Sequence, residues 1–290
     1  MNRFKIGVMA DWLGGTFRHN IETSAAMGAQ GVQLYATGEF SDFTPDTVKG
    51  DRLRETKDIL ASCGIEVSAL CGDLGGHGFQ IPADNVWKIE KSKRIIDLAL
   101  ELGANVVTTH IGVVPDTVND TYRIMQQACN ELAEYAQSVG AYFAVETGPE
   151  KAAMLKDFLD SLSARGVRVN FDPANLVMVT QDDPVAAVPL LGDYIVHTHA
   201  KDGVNLKPCD RHAIYNSFAE GGVDGFSAGD YIKEVPLGQG SVDFPAYIAA
   251  LAKIDYRGYL TVEREIREDP RADIEMAVNF LKELTAPYQI

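Results

Sequence analysis

Apolar and β-branched residues along this chain gather into eight short runs, each followed by polar or glycine-containing sequence. The runs are residues 4–10 (FKIGVMA), 31–36 (GVQLYA), 66–72 (EVSALCG), 105–112 (NVVTTHIG), 142–148 (YFAVETG), 167–173 (VRVNFDP), 194–202 (YIVHTHAKD) and 259–266 (YLTVEREI). Each is strand-sized and nearly continuous in apolar character, the pattern of parallel strands covered by helices. Between the runs the period lengthens to that of helices. Residues 84–102 carry Val86, Ile89, Ile95, Ile96, Leu98 and Leu100, with Asp84 as the expected N-cap and Gly103 as the C-terminal stop. Residues 116–139 repeat the design and end at Gly140, and 274–284 form a last helix. Gly28, Gly64, Gly103, Gly140, Gly166 and Gly258 each precede a strand run, where glycine can end a helix and return the chain to the sheet.

The runs start at 4, 31, 66, 105, 142, 167, 194 and 259, so the first six intervals are 25 to 39 residues, one βα unit each. Eight such units in series predict an α/β protein, a (β/α)8 TIM barrel spanning 1–290 as one domain. The alternative is an open doubly wound sheet, and no GxGxxG or Walker-type loop follows any run to support it. The seventh interval is 65 residues and contains 203–241, a glycine-rich polar stretch with no clear helix before Phe244. A loop of that length between strand 7 and helix 7 reads as a lid or substrate loop, or as a surface insertion.

In such a barrel the chemistry lies at the C-terminal ends of the strands. The polar residues there are His110, Glu146, Asp172, His199 with Lys201, and Glu263, with His77 close behind the third run. Glu146 in AVETG, Asp172 in VNFDP and Glu263 in LTVERE all follow apolar sequence, so their carboxylates are expected to be desolvated. A buried carboxylate needs a cation. Singly, each could pair with a lysine or arginine; together, on four successive strand ends with His199, they predict one divalent metal site. Oxygen-rich ligation with one nitrogen suits Mn2+ above all, with Mg2+, Co2+ or Zn2+ as alternatives. His197 shares a face with His199 and Lys201 but lies deeper, so His199 is taken as the ligand. His77, His110, Asn175 and Lys201 are candidate substrate contacts, and a structural role is the competing reading for each.

Composition narrows the partners. Hydrophobic residues make up 46% and charged residues 23% of the chain, an ordinary globular mixture. With 41 acidic against 26 basic residues the net charge is -15, which opposes binding to nucleic acid or an anionic membrane. No apolar run is long enough for a membrane helix, and the first residues, MNRFKIGVMAD, do not resemble a signal peptide. Cys63, Cys71, Cys129 and Cys209 form no CxxC pair and read as reduced thiols. The expected setting is cytoplasmic.

AVETG, NFDPANL, VHTHAKD, PLGQGSVDF at 236–244 and GYLTVERE together resemble the xylose-isomerase-like barrel superfamily of sugar and sugar-phosphate isomerases and epimerases. The resemblance covers nearly the whole chain. It implies that Glu146, Asp172, His199 and Glu263 hold one divalent metal, with Glu146 and Glu263 facing each other across a small sugar substrate as the catalytic acid/base pair. It also makes a homodimer one expectation, because barrels of this group often pair. The metal would stabilise an enediolate formed on proton loss. Return of the proton to the other face gives epimerisation, return to the neighbouring carbon gives isomerisation, and loss of a β-hydroxyl gives dehydration. The expected function is therefore a metal-dependent sugar isomerase or epimerase of carbohydrate metabolism. The alternative is a dehydratase or lyase on a keto-inositol, a dehydroshikimate-like acid or a 3-keto-sugar. Two departures favour keeping that alternative. Asn175 stands where many epimerases have histidine, and Asn205 where they tend to have arginine. Asn175 also argues against an abasic-site endonuclease, which needs a histidine ligand there. A non-catalytic sugar-binding barrel would not require both Glu146 and Glu263.

Overall fold

The computed structural model describes residues 3–266 and 269–289; Met1 and Asn2 of the N-terminal stretch lie outside them. All eight apolar runs become strands of one closed parallel barrel. They are β1 (Lys5–Met9), β2 (Gly31–Tyr35), β3 (Glu66–Cys71), β4 (Val106–Thr109), β5 (Tyr142–Glu146), β6 (Val167–Phe171), β7 (Ile195–Ala200) and β10 (Tyr259–Val262). They close in the order β1-β10-β7-β6-β5-β4-β3-β2. Strand order follows chain order except that β8 (Asp202–Asn205) and β9 (Ile232–Val235) form a separate antiparallel pair.

Side-chain alternation divides each barrel strand between two environments. Outward residues such as Val8, Leu34, Leu70, Val145 and Leu260 pack beneath the helices. Inward, Ala69, Val106 and Ala144 form a small apolar cluster in the barrel interior. Toward the C-terminal end the inward positions turn polar: Gln33, Thr108, Asn170, His197 and Thr261 are all buried. The site therefore rests on a polar floor inside an apolar shell.

The helices are α1 (Phe17–Met27), α2 (Asp51–Cys63), α3 (Pro82–Glu101), α4 (Asp120–Val139), α5 (Ala152–Asp160), α6 (Pro173–Asn175), α7 (Pro184–Leu191), α8 (Arg211–Ala219), α9 (Phe244–Lys253) and α10 (Arg271–Thr285). In α4 the buried face is Tyr122, Met125, Cys129, Leu132, Ala133 and Ala136, the three- and four-residue spacing of an amphipathic helix.

Three local expectations are corrected. Helix α3 begins at Pro82, so Asp84 lies within the first turn and caps nothing; proline suits that first position because it lacks an N–H. Helix α4 begins after Asn119, whose side chain accepts a hydrogen bond from the Tyr122 N–H at 2.9 Å, and not at Asp116. Gly166 is needed for space and not for a left-handed turn: a Cβ there would collide with the Ala133 carbonyl oxygen of α4. The long stretch 203–241 is also built. It holds the β8–β9 pair, α8 and a short helical turn at Ala228–Asp230. Residues 202–205 are short and polar, so the strand signal was too weak to read from sequence.

Gly166→Ala should lower stability by about 1–3 kcal/mol, the usual cost of overpacking against backbone, read as a reduced denaturation midpoint with unchanged slope. Unchanged stability would contradict the close approach.

Candidate metal centre

Four strand ends bring Glu146, Asp172, His199 and Glu263 together. One ligand atom from each lies within 4.8 Å of all the others, and all four residues are buried. Register explains their level. Thr261 pairs with His199 across β10 and β7, so Glu263 emerges from the sheet just above His199. Asn170 pairs with Glu146 across β6 and β5, placing Asp172 in the same upper layer.

The three carboxylates are held differently. Asp172 Oδ1 accepts hydrogen bonds from the Ala174 N–H at 2.7 Å and the Asn175 N–H at 3.0 Å, capping α6. Its Oδ2 is buried, has no hydrogen-bond partner among the described residues, and lies 3.8 Å from His199 Nδ1. Glu146 Oε1 accepts from Asn175 Nδ2 at 2.8 Å, and Oε2 from Asn170 Nδ2 at 3.1 Å. Glu263 Oε2 is 2.9 Å from His199 Nδ1 and 3.2 Å from Lys201 Nζ, but is aligned for a hydrogen bond with neither.

His199 is oriented from behind. Its Nε2 lies 3.1 Å from Gln33 Oε1, and Gln33 Nε2 donates to Thr108 Oγ1 at 3.1 Å. Asn170 Nδ2 also lies 3.1 Å from Nε2, so the amides of Gln33 and Asn170 hold this edge of the ring and Nδ1 is the nitrogen turned toward the carboxylates. His197 sits one layer deeper, bonded to Asn170 Oδ1 and Thr261 Oγ1, each at 3.1 Å.

The charge balance fits a cation. Burial pulls the His199 imidazole toward the neutral form, yet Glu263 and Glu146 outweigh it and hold its pKa well above the ordinary value. Burial likewise opposes the charge on Lys201, while Glu263, Glu265 and Glu234 raise it. Burial would raise the Glu263 carboxyl, but His199 and Lys201 bring it below its usual range. The carboxylates thus favour positive charge at the point that Nδ1 of His199 faces. With a free Asp172 oxygen pointing inward, the four residues fit a divalent ion.

The other expected site residues divide. His110 lies beside the centre, with Nε2 3.6 Å from Glu146 Oε1. Asn175 bonds Glu146 directly, and Lys201 lies against Glu263 and bonds Glu265 Oε2 at 2.7 Å. Asp202 is not the partner of Lys201. It accepts from the N–H groups of Gly238 at 3.0 Å, Gly240 at 2.8 Å and Val242 at 3.2 Å, so it fixes the GQGSV segment. His77 stands apart on the rim, 3.4 Å from Glu220 in the inserted segment. Sequence reading missed Gln33, Asn170, Asp73, Glu234 and Glu265. Gln33 and Asn170 had a signal: each is a buried polar residue at an inward strand position.

A family model described as the xylose isomerase-like TIM barrel matches residues 21–284, and the chain belongs to that family. It is similar to the inosose dehydratase of Salmonella typhimurium (strain LT2), 26% identical over 168 residues, covering 54% of this chain and 50% of that protein. The chain thus matches about half of that relative's length. It also resembles the crystal structure of a xylose isomerase domain protein from Planctomyces limnophilus, with TM-score 0.79, 24% identity and 98% of each chain covered. A D-tagatose 3-epimerase-like protein superposes with TM-score 0.72, 18% identity and 98% of each chain covered. Epimerases and dehydratases both occur among the proteins it resembles. No helix of the described residues is long and apolar enough to cross a membrane.

Because His199 must lose its extra proton to bind metal, affinity should fall as pH falls, and binding should release protons. Calorimetry with Mn2+ in buffers of different ionisation enthalpy reads this directly; pH-independent binding without proton release would contradict it. Gln33→Leu should weaken the metal by about 10- to 100-fold by freeing the His199 ring.

Proposed function

We propose that this chain is a divalent-metal-dependent enzyme that moves a proton beside the carbonyl of a small keto-sugar or cyclic keto-polyol, as an isomerase or epimerase. The observation that carries the reading is the convergence of three buried carboxylates and one histidine on a single point, with an inward Asp172 oxygen lacking any partner among the described residues. Glu146, Asp172, His199 and Glu263 would hold the ion. The oxygen-rich set favours Mn2+, with Mg2+, Co2+ or Zn2+ as alternatives. A bound ion would polarise the substrate carbonyl and stabilise the negative charge that develops on its oxygen.

The two glutamates do the proton work. Against the effect of burial, His199 at 2.9 Å and Lys201 at 3.2 Å favour the ionised form of Glu263, the form that can accept a proton. Glu146 is steadied by Asn175 and Asn170, which leaves it able to return a proton from its own side. Asp172 and His199 are ligands only. Because the glutamates have different neighbours, their roles are unequal, and Glu263 is the base.

A second reading, dehydration of a keto-inositol or related keto-sugar, is supported by the inosose dehydratase relative. It is also supported by Asn175 and Asn205, which stand at positions where epimerases carry larger basic groups. Asn175 donates to Glu146 at 2.8 Å, and Asn205 donates to the Met178 carbonyl at 2.7 Å. A cytoplasmic setting fits the four free thiols.

Solvent-deuterium exchange into ketoses, inososes and 3-keto-sugars, followed by NMR with Mn2+-loaded protein, tests the reading. Wild type should label one substrate at the carbon beside the carbonyl, and Glu263→Gln should abolish labelling while retaining fold. Near-normal labelling by Glu263→Gln would reject its role as base.

A further inference from the structure

The geometry points to a third proton-handling group: His110, oriented by Asp73, is the catalytic residue that delivers a proton to a departing substrate hydroxyl. This inference rests on the proton-transfer reading above and selects elimination as the outcome.

The two glutamates sit in different company. Beside Glu263 is Lys201, a cation already committed to Glu265 at 2.7 Å. Beside Glu146 is His110, with Nε2 3.6 Å from Oε1. Its other nitrogen, Nδ1, is bound to Asp73 Oδ2 at 2.8 Å. The carboxylate–imidazole pair fixes the ring and leaves Nε2 as the nitrogen facing Glu146, the arrangement that lets a histidine carry protons. His110 is one-third exposed, at 33%, whereas His199 is 1% exposed. A substrate can therefore touch His110.

The pair is built and not incidental. Asp73 and His110 continue the inward positions of adjacent strands β3 and β4. Asp73 Oδ1 accepts from the Gly75 N–H at 2.8 Å. The loop that carries Asp73 is braced by Lys88 of α3, a buried lysine that donates to the Gly75 carbonyl at 2.7 Å and the Gly78 carbonyl at 2.8 Å. A buried ammonium spent on two loop carbonyls costs desolvation, which is reasonable where the loop must hold its place.

Epimerisation needs only the two glutamates. Elimination needs one thing more, a donor for the oxygen that leaves. Glu263 takes the proton from the carbon beside the carbonyl. The electron pair of that C–H bond forms the new C=C bond. The C–O bond at the next carbon breaks, and its electron pair leaves with the oxygen. That oxygen takes the Nε2 proton of His110 and departs as water. The product is an unsaturated ketone, and no oxidant or reductant is required. Glu263 releases the proton it took to solvent and solvent restores one to His110, so both groups return to their starting forms.

The probe is inosose with Mn2+-loaded full-length protein in D2O. Deuterium in recovered substrate is read by NMR and unsaturated ketone by its ultraviolet absorbance. Wild type should do both. His110→Gln should lower water loss by about 100-fold or more, while exchange falls only a few-fold. Asp73→Asn should shift the same ratio in the same direction, and Asp73→Glu should restore part of it. Metal content and circular dichroism separate these effects from misfolding. Parallel loss of exchange and elimination in His110→Gln, or loss of neither, overturns the inference. Exchange without any water loss by wild type overturns the inference but leaves the proton-transfer reading standing. No exchange and no water loss by wild type overturns both.

Discussion

Three carboxylates meet in the buried mouth of this barrel with too little positive charge to balance them. Moving each into a low-dielectric site is expensive, and close like charges add to the cost. The protein answers in part with His199, whose imidazole these carboxylates draw toward the charged form, and with Lys201. Neither donates a hydrogen bond to the inward oxygen of Asp172, which has no hydrogen-bond partner among the described residues. Much else in the upper barrel follows from that unmet demand. Gln33 turns Nδ1 of His199 inward, Asn170 and Asn175 restrain Glu146, and the α6 backbone takes the second oxygen of Asp172. These contacts leave donor atoms facing one point, the preorganisation that metal sites need from their surroundings.

The barrel supplies the geometry at little cost in special structure. Alternation along each strand puts every second residue inside, so the chain needs only a polar residue at the right height on each strand. Gln33, Thr108, Asn170, His197 and Thr261 form the supporting layer, and the candidate ligands stand one step above. Outside, large apolar side chains such as Phe158, Leu132 and Tyr247 are fully buried and hold the frame. The inserted segment is joined to this frame by polar contacts. Arg211 of α8 donates to the Val114 and Pro149 carbonyls at 3.1 Å and 3.2 Å, and Glu234 of β9 meets Arg264 at 2.7 Å, next to Glu263. The insert thus reaches both sides of the centre.

The barrel was legible because its signal repeats. Eight apolar runs at βα spacing carry the same message, and an error of one residue at a strand start changes nothing. The four candidate ligands were legible for a related reason: strand ends in a barrel converge, so polar residues there can be treated as a set. The supporting contacts were harder to see. Asp73 lies beyond the end of β3 in glycine-rich sequence, and only the fold brings it to His110. The bond from Asp202 to the GQGSV backbone depends on a hairpin whose strands carry almost no hydrophobic pattern. Helix starts failed where local chemistry competed, since Asp84 and Asp116 are plausible caps that Pro82 and Asn119 displace.

The most direct test of the central claim is anomalous diffraction from crystals equilibrated with Mn2+. The account predicts a single strong peak bounded by Asp172 Oδ2, His199 Nδ1, Glu146 and Glu263, with Lys201 remaining outside the coordination shell. A peak elsewhere, or none at this point under saturating metal, would contradict it.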